Sequence, residues 1–241
     1  HDIIEANGGR KMVKVRLYLV RHGKTMFNTI GRAQGWSDTP LTAEGERGIQ
    51  ELGIGLRESD LQFERAYSSD SGRTIQTMGI ILEELGLQGK IPYRMDKRIR
   101  EWCFGSFDGA YDGDLFMGII PRIFNVDHVH QLSYAELAEG LVEVDTAGWA
   151  EGWEKLSGRI KEGFEMIAKE MEDQGGGNAL VVSHGMTIGT IVYLINGMHP
   201  HGLDNGSVTI LEYEDGQFRV EVVGDRSYRE LGREKMEEGS I

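Results

Sequence analysis

Leu17-Tyr-Leu-Val-Arg-His-Gly-Lys-Thr-Met-Phe-Asn28 begins as a buried strand and stops in a cation, an imidazole and a glycine. Val13, Val15, Leu17, Leu19 and Val20 form an apolar run rich in β-branched residues, the mark of a strand covered on both faces. Arg21 offers a planar fork of donors suited to anionic oxygens, and His22 titrates near neutrality. Gly23 lets the backbone turn directly afterwards. In an open α/β sheet, ligands bind just beyond the carboxyl ends of strands, where this triplet lies.

Outward from that strand, helical and strand patterns alternate. Thr42 is the expected N-cap of a helix from about Ala43 to Arg57 that buries Ile49, Leu52 and Leu56. Phe63 to Ser68 reads as a second strand. The helix after it opens at Ser69–Thr74, carries Ile75, Met78, Ile81, Leu82 and Leu85 on one face, and stops at Gly86. Ile91–Met95 is a third strand. From Ala110 to Ala150 the periodicity breaks down, which predicts an insertion with short helices near 114–124 and 133–141. Trp153, Leu156, Ile160, Phe164, Ile167 and Met171 make one continuous apolar helical stripe, read as core. Asn178–Ser183 is a buried strand leading to His184, followed by a helix from Met186 to Asn196. Ser207–Glu214 and Phe218–Val223 form a hairpin across Asp215-Gly216. The charged tail after Gly224 reads as a solvated, peripheral face.

This order predicts a three-layer α/β/α sandwich: a mostly parallel, mixed central sheet with one antiparallel edge strand and an inserted cap. The expected organisation is one domain over 12–241, with a cap insertion at about 108–150. Met12 reads as a natural start, with residues 1–11 an N-terminal extension. The 26 Lys+Arg against 39 Asp+Glu give a formal charge of -13, which disfavours nucleic acid and anionic membranes as partners. One cysteine, Cys103, excludes an internal disulfide framework, and no apolar run is long enough to span a bilayer. The expected location is the cytoplasm. Nothing in the sequence sets the oligomeric state.

Four polar motifs fall beyond strand ends: Arg21-His22 after the first, Arg73 in the helix after the second, Glu101 after the third and His184 after the fourth. Two arginines, two histidines and a carboxylate are suited to phosphoryl transfer without a metal, because that chemistry is mostly positioning and charge neutralisation. The sequence resembles the histidine phosphatase superfamily, the phosphoglycerate mutase-like group. Arg21, His22, Gly23, Thr25 and Asn28 match its signature. Gln34-Gly35 and Asp38-Thr-Pro-Leu-Thr42 match its next block, Arg73 its second arginine, and Ser183-His184-Gly185 its second histidine. Lys24 stands where Glu is commoner in the family.

The resemblance implies a covalent mechanism without cofactor or metal. His22 would attack phosphorus, while Arg21, Arg73 and His184 hold the transferring oxygens. Thr25, Asn28, Gln34, Gly35 and Gly185 would belong to the phosphate pocket. Glu101 would protonate the leaving oxygen and then activate water. The other ring nitrogen of His22 is expected to donate to a backbone carbonyl, with that of Gly23 in reach. Asp96, Asp108 and Asp112 are alternative carboxylates, and Asn28 and Gln34 could instead brace their loop. The substrate would be a small phosphorylated metabolite.

Within the family the choice lies between hydrolysis and phosphate relocation. Residues 105–150 hold one basic residue, Arg122, against Asp108, Asp112, Asp114, Asp127, Glu136, Glu139, Glu143 and Asp145. A lid so acidic would repel a second phosphate, which favours a phosphatase. Phe116, Met117, Ile119, Ile120 and Phe124 suggest a partly apolar leaving group. A phosphoglycerate mutase, with the Arg226–Lys235 tail supplying cations, is the alternative within the family. A non-catalytic phosphate-binding module is the alternative outside it. Cys103 lacks the arginine of a Cys-x5-Arg loop and reads as an inert thiol. His128-Val-His130 and His199-Pro-His201 read as separate solvated loop pairs, without a third ligand for a metal.

Overall fold

The computed structural model describes residues 13–239. The expected start at Met12 and the extension at 1–11 lie outside the described residues. The first strand, β1 (Val15–Arg21), sits inside a six-stranded sheet and is followed by the short helix α1 (Met26–Ile30). The helix α2 (Ala43–Glu58) leads to β2 (Arg65–Ser68), and α3 (Gly72–Glu84) leads to β3 (Tyr93–Met95). Residues 108–150 hold α4 (Ile120–Phe124) and α5 (Tyr134–Val144), and the long helix α6 (Trp153–Asp173) follows. The chain ends with β4 (Gly177–Ser183), α7 (Gly185–Asn196), the hairpin β5 (Val208–Glu214) and β6 (Gln217–Asp225), and α8 (Ser227–Glu238).

The sheet order is β3-β2-β4-β1-β5-β6. The strands β3, β2, β4 and β1 run parallel, and β5 runs against β1 in the hairpin that forms one edge. Asp215 (φ 51°) and Gly216 (φ 75°) close that hairpin with two left-handed residues, as a type I′ turn requires.

Alternation along β1 builds the layers. Val15, Leu17 and Leu19 pack with Ile160 and Phe164 of α6 and Ile188 of α7 on one face. Tyr18 and Val20 pack with Ile49 and Leu52 of α2 and Met78 and Ile81 of α3 on the other. Each such buried side chain contributes about 1.5–3 kcal/mol. The register pairs Arg21 with Ser183, so the residues that follow, His22 and His184, emerge side by side.

The predicted start of α2 is present: Thr42 Oγ1 accepts the Gly45 N–H at 3.0 Å. One predicted core position turns outward. Ile75 is 37% exposed, because the inner face of the first turns of α3 is taken by Arg73, Thr74 and Thr77. The tail also differs from expectation. It folds into α8 and docks on α2 across glycines; a Cβ on Gly232 would stand 1.6 Å from the Glu51 carbonyl oxygen, and one on Gly55 1.7 Å from that of Tyr228. At this seam the Glu51 carboxylate, 4% exposed, meets Arg229 at 3.0 Å and Arg233 at 3.4 Å. Charge in the tail thus serves helix docking.

Within 108–150 a π-helical turn at Gly113–Ile119 runs into α4, and Pro121 has no N–H to return to the Met117 carbonyl there. Several acids of this segment are backbone ligands. Asp145 accepts N–H groups from Ser106, Ala147, Trp149 and Ala150, Glu136 closes the capping box of α5, and Glu139 accepts the Trp153 N–H. Among the described residues no helix is long and apolar enough to cross a membrane.

Candidate active site

The end of β1 is fixed from three sides. The Arg21 N–H donates to the Ser207 carbonyl, the His22 N–H to Ser183 and the Gly23 N–H to Thr77 Oγ1. His22 is 3% exposed, and its Nδ1 lies 2.8 Å from the Gly23 carbonyl. That contact requires a proton on Nδ1 and leaves Nε2 with a free lone pair. Burial, then the charges of Arg73 and Arg21, push the His22 pKa well below its ordinary 6.5. The imidazole is therefore neutral at neutral pH.

Arg73, 1% exposed, is the hub. Its Nη1 donates to the Ser37 carbonyl (2.7 Å) and to Asp38 Oδ1 (2.9 Å), and its Nη2 to the Gly35 carbonyl (2.8 Å). Nη2 also stands 3.1 Å from His184 Nδ1. An arginine only donates, so His184 carries its proton on Nε2, which bonds Ser69 Oγ at 2.7 Å. Arg21 Nη1 donates to the Leu203 carbonyl. Among the described residues, the buried Nε atoms of Arg21 and Arg73 have no hydrogen-bond partner. Two desolvated cationic donors without an acceptor are the signature of an anion site. Gly185 keeps it open, since a Cβ there would lie 3.2 Å from Arg21 Nε.

Glu101 is set against the start of α7. Its Oε1 accepts from the Trp102 N–H (2.9 Å) and the Thr187 N–H (3.1 Å), and lies 3.1 Å from Thr187 Oγ1, whose one proton is nearer the Arg100 carbonyl (2.8 Å); among the described residues Oε2 accepts the Met186 N–H alone (3.1 Å). The loop behind it is braced by Arg159, which donates to the carbonyls of Arg98, Arg100 and Glu101 and pairs with buried Glu151 at 2.7 Å. Of the alternative carboxylates, Asp96 is engaged by Arg94 and Arg98, and Asp108 accepts the Phe104 and Trp36 N–H groups. Asp112 reaches the same cavity as Glu101, within range of the Arg21 charge.

A cavity of about 550 Å³ collects these groups. Arg21, His22, Arg73, Glu101, Asn28, Gln34, Gly35 and Gly185 line it; Thr25 and His184 do not. Thr25 is instead the N-cap of α1, in a capping box with Asn28. His184 lies behind, with its ring 5.4 Å from that of His22. Gln34 Oε1 accepts from Thr39, so this side chain also braces its loop. Phe116 and Met117 reach the cavity, whereas Ile119, Ile120 and Phe124 do not; of the cap acids only Asp112 does.

Two cavity neighbours escaped the sequence reading. Asn205 Nδ2 donates to the His22 carbonyl at 2.8 Å and lies 3.3 Å from Asn28 Oδ1; its one signal is the Asn205-Gly206 turn dipeptide. Arg32 lines the wall, lies over the Tyr111 ring at 4.0 Å and donates to the Gly109 carbonyl at 2.6 Å. The loop histidines also differ from expectation, because the two pairs are not separate. At the cavity His130 and His201 stack with ring centroids 4.2 Å apart, His128 meets His130 at 4.3 Å with its ring tilted by 53°, and His199 continues toward Tyr134 and Tyr193. Among the described residues no group of three or more His, Cys, Asp or Glu is arranged to hold a metal ion. Cys103 is buried, and burial pushes its thiol up to about 11.

Burial also pushes His184 well below 6.5, ahead of the Arg73, His22 and Arg21 charges. A histidine whose folded pKa is depressed binds its proton first in the unfolded chain. Its contribution is complete above the unfolded value near 6.5 and is lost as pH falls below that. Thermal melts are expected to show a falling midpoint from pH 6.5 to 5, with a shallower slope in a His22→Asn/His184→Asn variant. Equal slopes would mean that neither ring is buried neutral.

A family model, the histidine phosphatase superfamily (branch 1), matches residues 17–226. The probable phosphoglycerate mutase GpmB of Salmonella choleraesuis is 31% identical over 226 residues, covering 89% of this chain and 94% of that protein. Among solved structures, a phosphoglycerate mutase from Bacillus anthracis superposes with a TM-score of 0.87 at 38% identity, over 92% of this chain and 98% of that one. Bacillus stearothermophilus YhfR follows with a TM-score of 0.71 at 28% identity, over 89% and 99%.

Proposed function

The chain belongs to the histidine phosphatase superfamily, and from that premise we propose that it is a phosphatase, hydrolysing a small phosphomonoester through a phosphohistidine on His22. The observation that carries this reading is the neutral, buried His22, with Nδ1 tied to Gly23 and Nε2 free, beside two guanidiniums whose Nε donors lack partners. In this reading residues 108–150 cap one catalytic domain.

Phosphate oxygens lie on Arg21 Nε and Arg73 Nε. The Nε2 lone pair forms the N–P bond as the ester P–O bond breaks, and the departing oxygen takes a proton from Glu101. The proton is assigned to Oε2, because Oε1 already accepts two backbone N–H groups and Oε2 one. Water then gives a proton to the Glu101 carboxylate and attacks phosphorus, and the P–N bond breaks with its electron pair returning to Nε2. His184 is a positioning residue here, since both its nitrogens are engaged and it orients Arg73. The acidic-lid argument for hydrolysis weakens, as seven of the eight cap acids do not line the cavity. Hydrolysis is favoured instead by walls whose basic groups, apart from Arg21 and Arg73, are Arg32 and imidazoles, too few lasting charges to retain a bisphosphorylated intermediate.

Phosphoglycerate mutase is the second reading, favoured by the 38% identity to the Bacillus anthracis protein. One experiment separates them: phosphate release from a phosphomonoester panel at pH 5 to 8 with EDTA, beside conversion of 3-phosphoglycerate to its 2-isomer. Phosphate release is expected, and isomer without free phosphate would select the mutase. Glu101→Gln is expected to lower kcat/KM, which reads the steps up to the phosphohistidine and not its hydrolysis, by about 10²–10⁴ for an alkyl phosphate and far less for p-nitrophenyl phosphate, whose leaving group needs no proton. Equal losses on both esters would remove Glu101 as the acid.

A further inference from the structure

The cavity has a second polar feature, opposite in kind to the arginine end. His128 and His130 come from the turn Val129–Gln131 and its N-cap, and His201 from the loop after α7. The His130 and His201 rings are near-parallel, 28° apart at 4.2 Å. In a chain of net charge -13, none of these three imidazoles has a carboxylate partner among the described residues.

We propose that the His128–His130–His201 stack is the leaving-group subsite, and that it receives a second anionic group of the substrate by taking up a proton. This rests on the phosphatase reading and narrows it to phosphomonoesters that carry a carboxylate or a second phosphate. Neutral, the stack is held by ring contact and by His128 Nδ1 accepting the His130 N–H at 3.2 Å. Desolvation, then the neighbouring His201 and His128, lower the His130 pKa, so without a counter-ion this ring resists charging. An anion at the stack reverses that. By linkage, protons then strengthen anion binding by the factor with which the anion strengthens proton binding.

The surroundings leave this role to the substrate. On the same turn Asp127 makes no ion pair among the described residues, and it is absent from the groups that shift His130. From α5, Glu136 is occupied by the Ser133 N–H; from the loop after α7, Asp204 pairs with Arg226 at 3.4 Å. Across the cavity, Asp112 faces the Arg21 charge and Arg32 adds a lasting positive one. Tyr134 and Tyr193 pack on His199 behind the stack.

The test compares propyl phosphate, the same chain ending in a carboxylate, and the same chain ending in a second phosphate. Taking kcat/KM as a ratio to propyl phosphate cancels the ionisation of the shared ester. The carboxylate ratio is expected to rise about tenfold from pH 7.5 to 5.5, and to stay within about twofold in His130→Asn/His201→Asn. The two anionic esters show which group the stack prefers. A flat ratio in the wild type, or a rise that survives the double substitution, overturns the proposal. Thermal midpoints with the three matching phosphonates read the same ratio without turnover. An inactive protein with pH-dependent midpoint differences would keep the subsite and sink the phosphatase. Should the double variant not fold, His201→Asn alone is read in the same assays.

Discussion

Replacing His22 with Asn is expected to lower phosphate release by about 10⁵-fold while the protein stays folded. The amide nitrogen of Asn can take over the bond that Nδ1 makes to the Gly23 carbonyl, so the loop keeps its shape. What the variant lacks is Nε2, and with it the only route to an N–P bond. Two measurements check this. Steady-state phosphate release gives the size of the loss. Rapid quench of the wild type with labelled substrate should trap label that survives alkali and is lost in acid, as a phosphoramidate is. Label retained by the Asn variant would place the nucleophile elsewhere.

Arg73→Met is expected to damage fold and chemistry together. Its guanidinium satisfies the carbonyls of Gly35 and Ser37, the Asp38 carboxylate and His184 Nδ1. Methionine fills the volume and leaves those acceptors without a donor. Losing one partner of a buried charged network costs about 3–5 kcal/mol, which for a chain of this size lowers the melting midpoint by about 10 °C. Loss of the Nε donor should cost a further factor of about 10²–10³ in kcat/KM, measured below the midpoint of the variant. Arg73→Lys keeps a charge but cannot reach four acceptors from one plane, so it should recover little of either. A lysine variant as active and stable as the wild type would show that charge alone matters at this position.

The convergence of the proposed catalytic residues was legible in the sequence because a parallel sheet obliges strand ends to meet. Arg21-His22 and His184 follow strands that pair directly, and Arg73 and Glu101 follow their neighbours. Residues that act through loops left no such mark. Asn205 holds the His22 carbonyl across 183 positions, and Arg159 braces the Glu101 loop from the middle of a core helix. The histidine pairs looked separate because they lie about 70 residues apart, and only the fold brings the two loops together. Counting charge in the cap misled for another reason. Composition gives the number of carboxylates but not the backbone N–H groups that turn Asp145, Glu136 and Glu139 away from the cavity.

The placement of β1 has a consequence for how the chain is made. Both of its partners, β4 and β5, are translated more than 150 residues after it. At about 5–20 residues per second, Leu17 and Leu19 wait about 10–40 s for strands to pair with. During that interval an apolar strand with open edges is available to chaperones or to other nascent chains. His22, the proposed nucleophile, is thus made well before the strands that fix its place. A mutation in the β5–β6 hairpin is therefore expected to lower the yield of folded protein before it alters a kinetic constant.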